Sequence, residues 1–116
     1  MKELLQHLID AERIFAYRAL TFSRKDKNNL PGWDEEEYAK HYFSNERTLN
    51  SLIEEFEAVR KSSVIFFENL NTEQLNEKGI ANGNEISVET IGKLIIGHNV
   101  HHLNIIKERY LPIMQK

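Results

Sequence analysis

Cysteine is absent from this 116-residue chain, which excludes a disulfide framework, a cysteine-ligated zinc cluster and an internal catalytic thiol. Any thiol chemistry would need the thiol from a second molecule. Proline occurs twice and glycine five times, too sparsely for a flexible linker, and no repeat or low-complexity segment divides the chain. One domain over residues 1–116 is expected, long enough to bury a core without staples. No stretch approaches the ~18 continuous apolar residues that span a bilayer, and no basic region followed by an apolar run opens the chain. A soluble, cytoplasmic protein is expected, without a membrane partner. Fifteen basic residues against eighteen acidic ones leave a formal charge of -3. No block of Lys or Arg could track a phosphate backbone, so nucleic acid is not an expected partner either.

What the chain does have is apolar periodicity. Leu4, Leu8, Ala11, Phe15, Ala19 and Phe22 recur at steps of three and four, predicting an amphipathic helix near 1–23 with no capping residue ahead of it. The pattern lapses into charged and amide residues before Leu30-Pro31-Gly32-Trp33, a turn signature. Asp34 followed by three glutamates then predicts an N-cap and a short helix through about Phe43. Leu49, Leu52, Phe56, Val59, Ser63, Phe66 and Leu70 predict a second long helix near 45–70, capped by Ser44 or Asn45, with Ile53, Arg60 and Phe67 widening its stripe. Thr72 is the expected cap of one short turn, and Asn82-Gly83-Asn84 predicts a small hairpin within 78–85. Ser87 opens a last helix near 88–110 that Pro112 stops. The predicted architecture is all-α, an incomplete up-down bundle.

The chemistry concentrates in that last helix. Its apolar stripe runs Ile91, Ile95, His98, His102, Ile105, so two imidazoles four residues apart share one core-facing side, one turn above the other. Two readings stand. A metal ion could satisfy both rings at ~2.0–2.1 Å, or each ring could be an ordinary core histidine bonded to a carbonyl or carboxylate. A metal needs a third ligand, and His7 on the first helix is the natural candidate if the two helices pack ~8–10 Å apart; alone, His7 would be a half-solvated boundary residue. Asp10 and Glu12 are either carboxylates that orient an imidazole or plain acids of a first helical half. Arg60 could meet an anionic ligand or pair with a carboxylate. His41 reads as a surface histidine and Trp33 as packing for the loop. His101 shares the stripe edge but fits a ligand pair less well than His98 and His102. Gly92 and Gly97 each cost a helix ~1 kcal/mol relative to Ala, which suggests that another backbone or a ligand comes close.

Taken together, His7-Leu8-Ile9-Asp10-Ala11-Glu12-Arg13, Leu30-Pro31-Gly32-Trp33-Asp34-Glu35 and Gly97-His98-Asn99-Val100-His101-His102-Leu103 resemble the DinB-like four-helix bundle superfamily, which includes the YfiT-like metal-dependent hydrolases. The resemblance covers essentially the whole chain. It implies a divalent ion, nickel or zinc, held by His7, His98 and His102. It also implies a small-molecule substrate, with hydrolysis or transfer of a low-molecular-weight thiol such as bacillithiol, mycothiol or glutathione as the reaction. A non-catalytic, metal-stabilised bundle serving as an interaction or stress-response module is the alternative. The family pattern has a further helix ahead of the His7 segment, and this chain starts where that helix would have ended. The expected form is therefore a bundle lacking its first helix, and a homodimer in which a second copy covers the open face.

Overall fold

The computed structural model describes residues 1–96. Two long helices dominate it: α1, Lys2–Ser23, and α3, Leu49–Glu68. Between them lie α2, Glu35–Lys40, and a single 3-10 turn, Ser44–Glu46. After α3 come α4, Thr72–Asn76, strands β1, Lys78–Ala81, and β2, Asn84–Ser87, and a further helix, α5, described over 88–96. The protein is predominantly helical with one two-stranded antiparallel sheet, in keeping with an all-α bundle of the DinB-like kind.

The long connection between α1 and α3 carries the chain back past its starting point, so the two helices run the same way. Gln6 meets Arg47, Glu12 meets Arg60 and Lys25 meets Glu73, partners that advance together along both helices. Their shared seam buries two apolar layers. Near the start of both helices Leu5, Leu8, Ile9, Leu52 and Val59 are buried, with Leu4, Leu49, Ile53 and Phe56 against them. Near their ends Ala19 and Phe22 join Ala81, Val88, Ile91 and Ile95, flanked by Phe15, Phe66, Phe67 and Leu70. Burying a Leu, Ile or Phe side chain is worth ~1.5–3 kcal/mol, and this is the main force holding the elements together. The three- and four-residue steps in the sequence mark these faces correctly, although Leu5, Ile9 and Glu12 sit deeper than Leu4.

The hairpin forms where expected because Asn82 and Gly83 both take positive φ, 52° and 76°, as a two-residue turn between twisted strands requires. Leu30 docks on it: its N–H donates to Ile80 O at 2.9 Å, and its carbonyl accepts from Asn82 N–H at 3.0 Å. A side chain at Gly79 would overlap the Phe22 ring, so the missing Cβ lets the hairpin close the end of the core. The Ser87 hydroxyl accepts from Thr90 N–H at 3.1 Å and caps α5, as predicted. From there α5 packs against α3. Gly92 faces Phe67, whose ring would lie 3.0 Å from an added Cβ, while Ile95 and Ile96 share a cleft with Ser63 and Arg60, earlier in α3. The close protein neighbour of Gly92 is thus an aromatic ring rather than another backbone.

Several boundaries differ from expectation. The short helix stops at Lys40 because Phe43 takes a left-handed backbone, φ 51°. Neither Ser44 nor Asn45 caps α3; the cap is Thr48, whose hydroxyl accepts from Ser51 N–H at 3.1 Å. Asn71, not Thr72, caps α4, in a reciprocal capping box with Gln74. The part of the last helix expected through residue 110, including Gly97, lies outside the described residues. Among the described residues no helix is long and apolar enough to cross a membrane.

Candidate functional site

His7 is half-buried on α1 and stacks on Trp33, ring centroids 6.0 Å apart and planes 19° from parallel. Trp33 in turn meets Tyr38 edge-on at 5.1 Å. Local chemistry fixes this arrangement. Asp34 accepts from the N–H groups of Glu36 and Glu37 and starts α2, which presents Tyr38. Arg18 donates to Pro31 O at 3.0 Å and ties the turn ahead of Trp33 to α1. Trp33 therefore packs the connection onto the bundle, as expected, and the surface it packs against is the His7 ring.

Glu12 is not a surface acid. Its side chain is 1% exposed and takes a two-pronged grip from Arg60, Nε and Nη2 to Oε1 at 3.1 and 3.0 Å. Of the two roles open to Arg60, pairing with a carboxylate is the one observed. Asp10 accepts from Gln6 Nε2 at 3.0 Å, and the positive charge of His7 also acts on it. Burial pushes the Asp10 carboxyl above its usual value, and the Glu55 charge adds to this, against the Gln6 hydrogen bond and the positive charge of Arg13. Glu55 behaves oppositely: burial would raise it, but hydrogen bonds from Arg47 and Arg13 hold it below the ordinary carboxylate range.

Arg47 and its network escape the sequence reading. Arg47 Nη1 donates to Gln6 Oε1 at 3.1 Å and Glu55 Oε1 at 2.6 Å, and Nη2 donates to the carbonyl and hydroxyl of Ser51. Arg13 closes the chain on Glu55 Oε2 at 2.9 Å. The usable signal was the polar series Gln6, Asp10, Arg13 at steps of four and three, a second stripe alongside the apolar one. His41 is exposed, as expected.

Of the three predicted metal ligands the structure positions one, His7; His98 and His102 lie outside the described residues, as does His101. Among the described residues no group of three or more His, Asp or Glu side chains could hold a metal ion. A half-buried imidazole braced by an indole face suits a ligand role, since the brace limits ring rotation without displacing the ring nitrogens. The described residues alone do not complete a centre.

No curated protein matches the chain, and no solved structure does. The sequence profile of the DinB superfamily matches residues 1–106, which takes in α1, α3, the hairpin, α5 and both His98 and His102. With that span matched, over most of its length, the chain belongs to the DinB superfamily.

Proposed function

We propose that this protein is a metal-dependent enzyme that holds Zn²⁺ or Ni²⁺ through His7, His98 and His102 and acts on a small molecule, as a thiol-dependent transferase or a hydrolase. The observation that supports it most is the course of α5. Ile91 and Ile95 are both buried, and by sequence their stripe continues to His98 and His102. Gly92 meets Phe67, and Gly92, Ile95 and Ile96 line one cleft with Arg60, Ser63 and Phe67 of α3. Arg60 pairs with Glu12, five residues, or ~7.5 Å of helix, from His7. In this reading the stripe continues along that seam and brings His98 and His102 to His7.

The ion would supply Lewis acidity at neutral pH toward a water or an incoming thiol. The chain's own residues have simpler roles. Trp33 holds the His7 ring in one orientation. Arg60 neutralises Glu12, so that the carboxylate does not compete as a buried anion. With no cysteine in the chain, a thiol would arrive as co-substrate. Self-association belongs to the same proposal. The groove between α1 and α3 is lined by Ala16, Leu20, Val59 and Phe66, and Tyr17 and Leu20 remain 59% and 41% exposed, a surface for a second copy. Sedimentation at high micromolar concentration should give a dimer.

The test is elemental analysis of untagged protein after reconstitution, for wild type, His7→Ala and His98→Ala. About one ion per chain in wild type and a large loss in both variants is expected; equal, negligible metal in all three overturns the site. Conjugation of a generic electrophile with bacillithiol, glutathione or cysteine, and ester hydrolysis, should then depend on the metal. Loss of thermal stability on chelation without any metal-dependent turnover would instead indicate a metal-stabilised, non-catalytic module.

A further inference from the structure

Between α1 and the connection lies a cleft of about 520 Å³, within the size range of small-molecule sites. Gln6, Asp10 and Arg47 line it together with Glu37, Tyr38 and Tyr42. His41 stands at its edge.

Its charges are unevenly committed. Arg47 is the one permanent cation in the lining, and both of its terminal nitrogens are already engaged by Gln6, Glu55 and Ser51. It has little left for an anion. Glu37 is bound by Lys40 at 2.8 Å in an exposed pair, which solvent weakens. Among the described residues Asp10 has the Gln6 amide on Oδ1 as its one hydrogen bond and no ion pair. That is a poor return for a partly desolvated carboxylate, which gains most from a charged donor. The surroundings are acidic as well. The Tyr42 phenol is raised first by burial and then by the charges of Asp10, Glu35 and Glu3, so three carboxylates reach the same ring. Two tyrosines beside an under-committed carboxylate make a site for an organic cation, through ring faces as well as a charge-assisted hydrogen bond.

We propose that this cleft binds a small molecule bearing a primary ammonium group, with Asp10 as the counter-ion and the rings of Tyr38 and Tyr42 as the walls. A primary ammonium fits better than a quaternary one because the carboxylate oxygen needs an N–H donor. No proposed metal ligand lines the cleft, although the charge of His7 reaches Asp10.

The chain's single tryptophan reports on it, because Trp33 contacts Tyr38 edge-on at 5.1 Å. We would titrate n-butylammonium chloride into the full chain at pH 7 and constant ionic strength, following Trp33 fluorescence and, in parallel, heat of binding. Saturable binding is expected. Asp10→Asn, which keeps the oxygen that Gln6 uses, should weaken it at least tenfold, and Tyr42→Ala severalfold, with unchanged far-ultraviolet circular dichroism. Tetramethylammonium should bind several times more weakly and sodium butyrate not at all, while His98→Ala should bind butylammonium as wild type does. Absence of saturation, equal affinity in Asp10→Asn, or tetramethylammonium matching butylammonium would each overturn the proposal.

Discussion

At the Phe22 end of the α1–α3 pair, several elements meet around an apolar centre. Ala19 and Phe22 from α1, Ala81 from the hairpin and Val88, Ile91 and Ile95 around α5 close on one another. The ion pair nearby, Lys25–Glu73, is solvent-exposed and contributes little. At the His7 end, among the described residues, two helices and the connection meet around a mixed interior. Leu5, Leu8, Ile9 and Leu52 are buried, but so are Gln6 and Glu12, and Arg13, Arg47, Glu55 and Arg60 are bound into ion pairs. One end is held mainly by apolar packing, the other by apolar packing interleaved with hydrogen-bonded charges. Glu12 and Arg60 mark the border, where desolvating charge is costly and tolerated only because the geometry is two-pronged.

That contrast can be broken in order of effect. Phe22→Ala should cost ~3–5 kcal/mol by urea denaturation, because the fully buried ring leaves a cavity between three elements; a loss below ~1 kcal/mol would mean that the Phe22 end is not held by its apolar packing. Arg60→Met should cost roughly 3 kcal/mol, by taking the guanidinium from a buried carboxylate. Adding Glu12→Leu should recover most of that, and a double variant as weak as the single would show that Glu12 is not the reason for Arg60. The smallest effect concerns Asp10. Its folded pKa is raised, so its protonated form is the better tolerated one. Its contribution to stability is fully present below the unfolded value and lost as pH rises through the folded value. Asp10→Asn should therefore equal or slightly exceed wild type in melting temperature at pH 7, and the difference should vanish toward pH 3. Glu55→Gln should do the opposite, since Glu55 is held low: less stable at pH 7, converging on wild type as acid protonates Glu55. Melting curves across pH for both variants separate the two signs.

Much of the Phe22 end could be foreseen from residue order, because every signal there is local. Apolar steps of three and four define α1 and α3, Asn82-Gly83 defines the hairpin, and Ser87 defines the start of α5. Caps were foreseen only to within a few residues. Ser44, Asn45 and Thr72 are as good capping types as Thr48 and Asn71, and the left-handed turn at Phe43 that decides between the first set has no sequence signal. The His7 end was less legible for a different reason. That Glu12 chooses Arg60, that Trp33 chooses His7, and that Gln6 and Asp10 face Tyr42 all follow from how the connection lies across α1. Such pairings join residues 26 to 48 positions apart, and no periodicity encodes them. For the metal site, spacing named His98 and His102, and helix packing with the family resemblance added His7, which is the one the described residues place, with its indole brace.

Running α1 and α3 in the same direction forces the connection over residues 24–48 to travel back along ~33 Å of helix, the length of the 22 residues of α1. The entropy of closing such a loop rises only logarithmically, ~0.6 kcal/mol for each doubling of its length. Lengthening or trimming the connection between its anchors, among them Leu30 on the hairpin, Pro31 and Trp33 on α1, and Arg47 on α1 and α3, should thus change the shape of the surface over His7 far more than it changes whether the chain folds. For anyone wishing to redirect what this scaffold binds, the segment 34–46 can be rewritten at low thermodynamic risk, while the helices beneath it stay as they are.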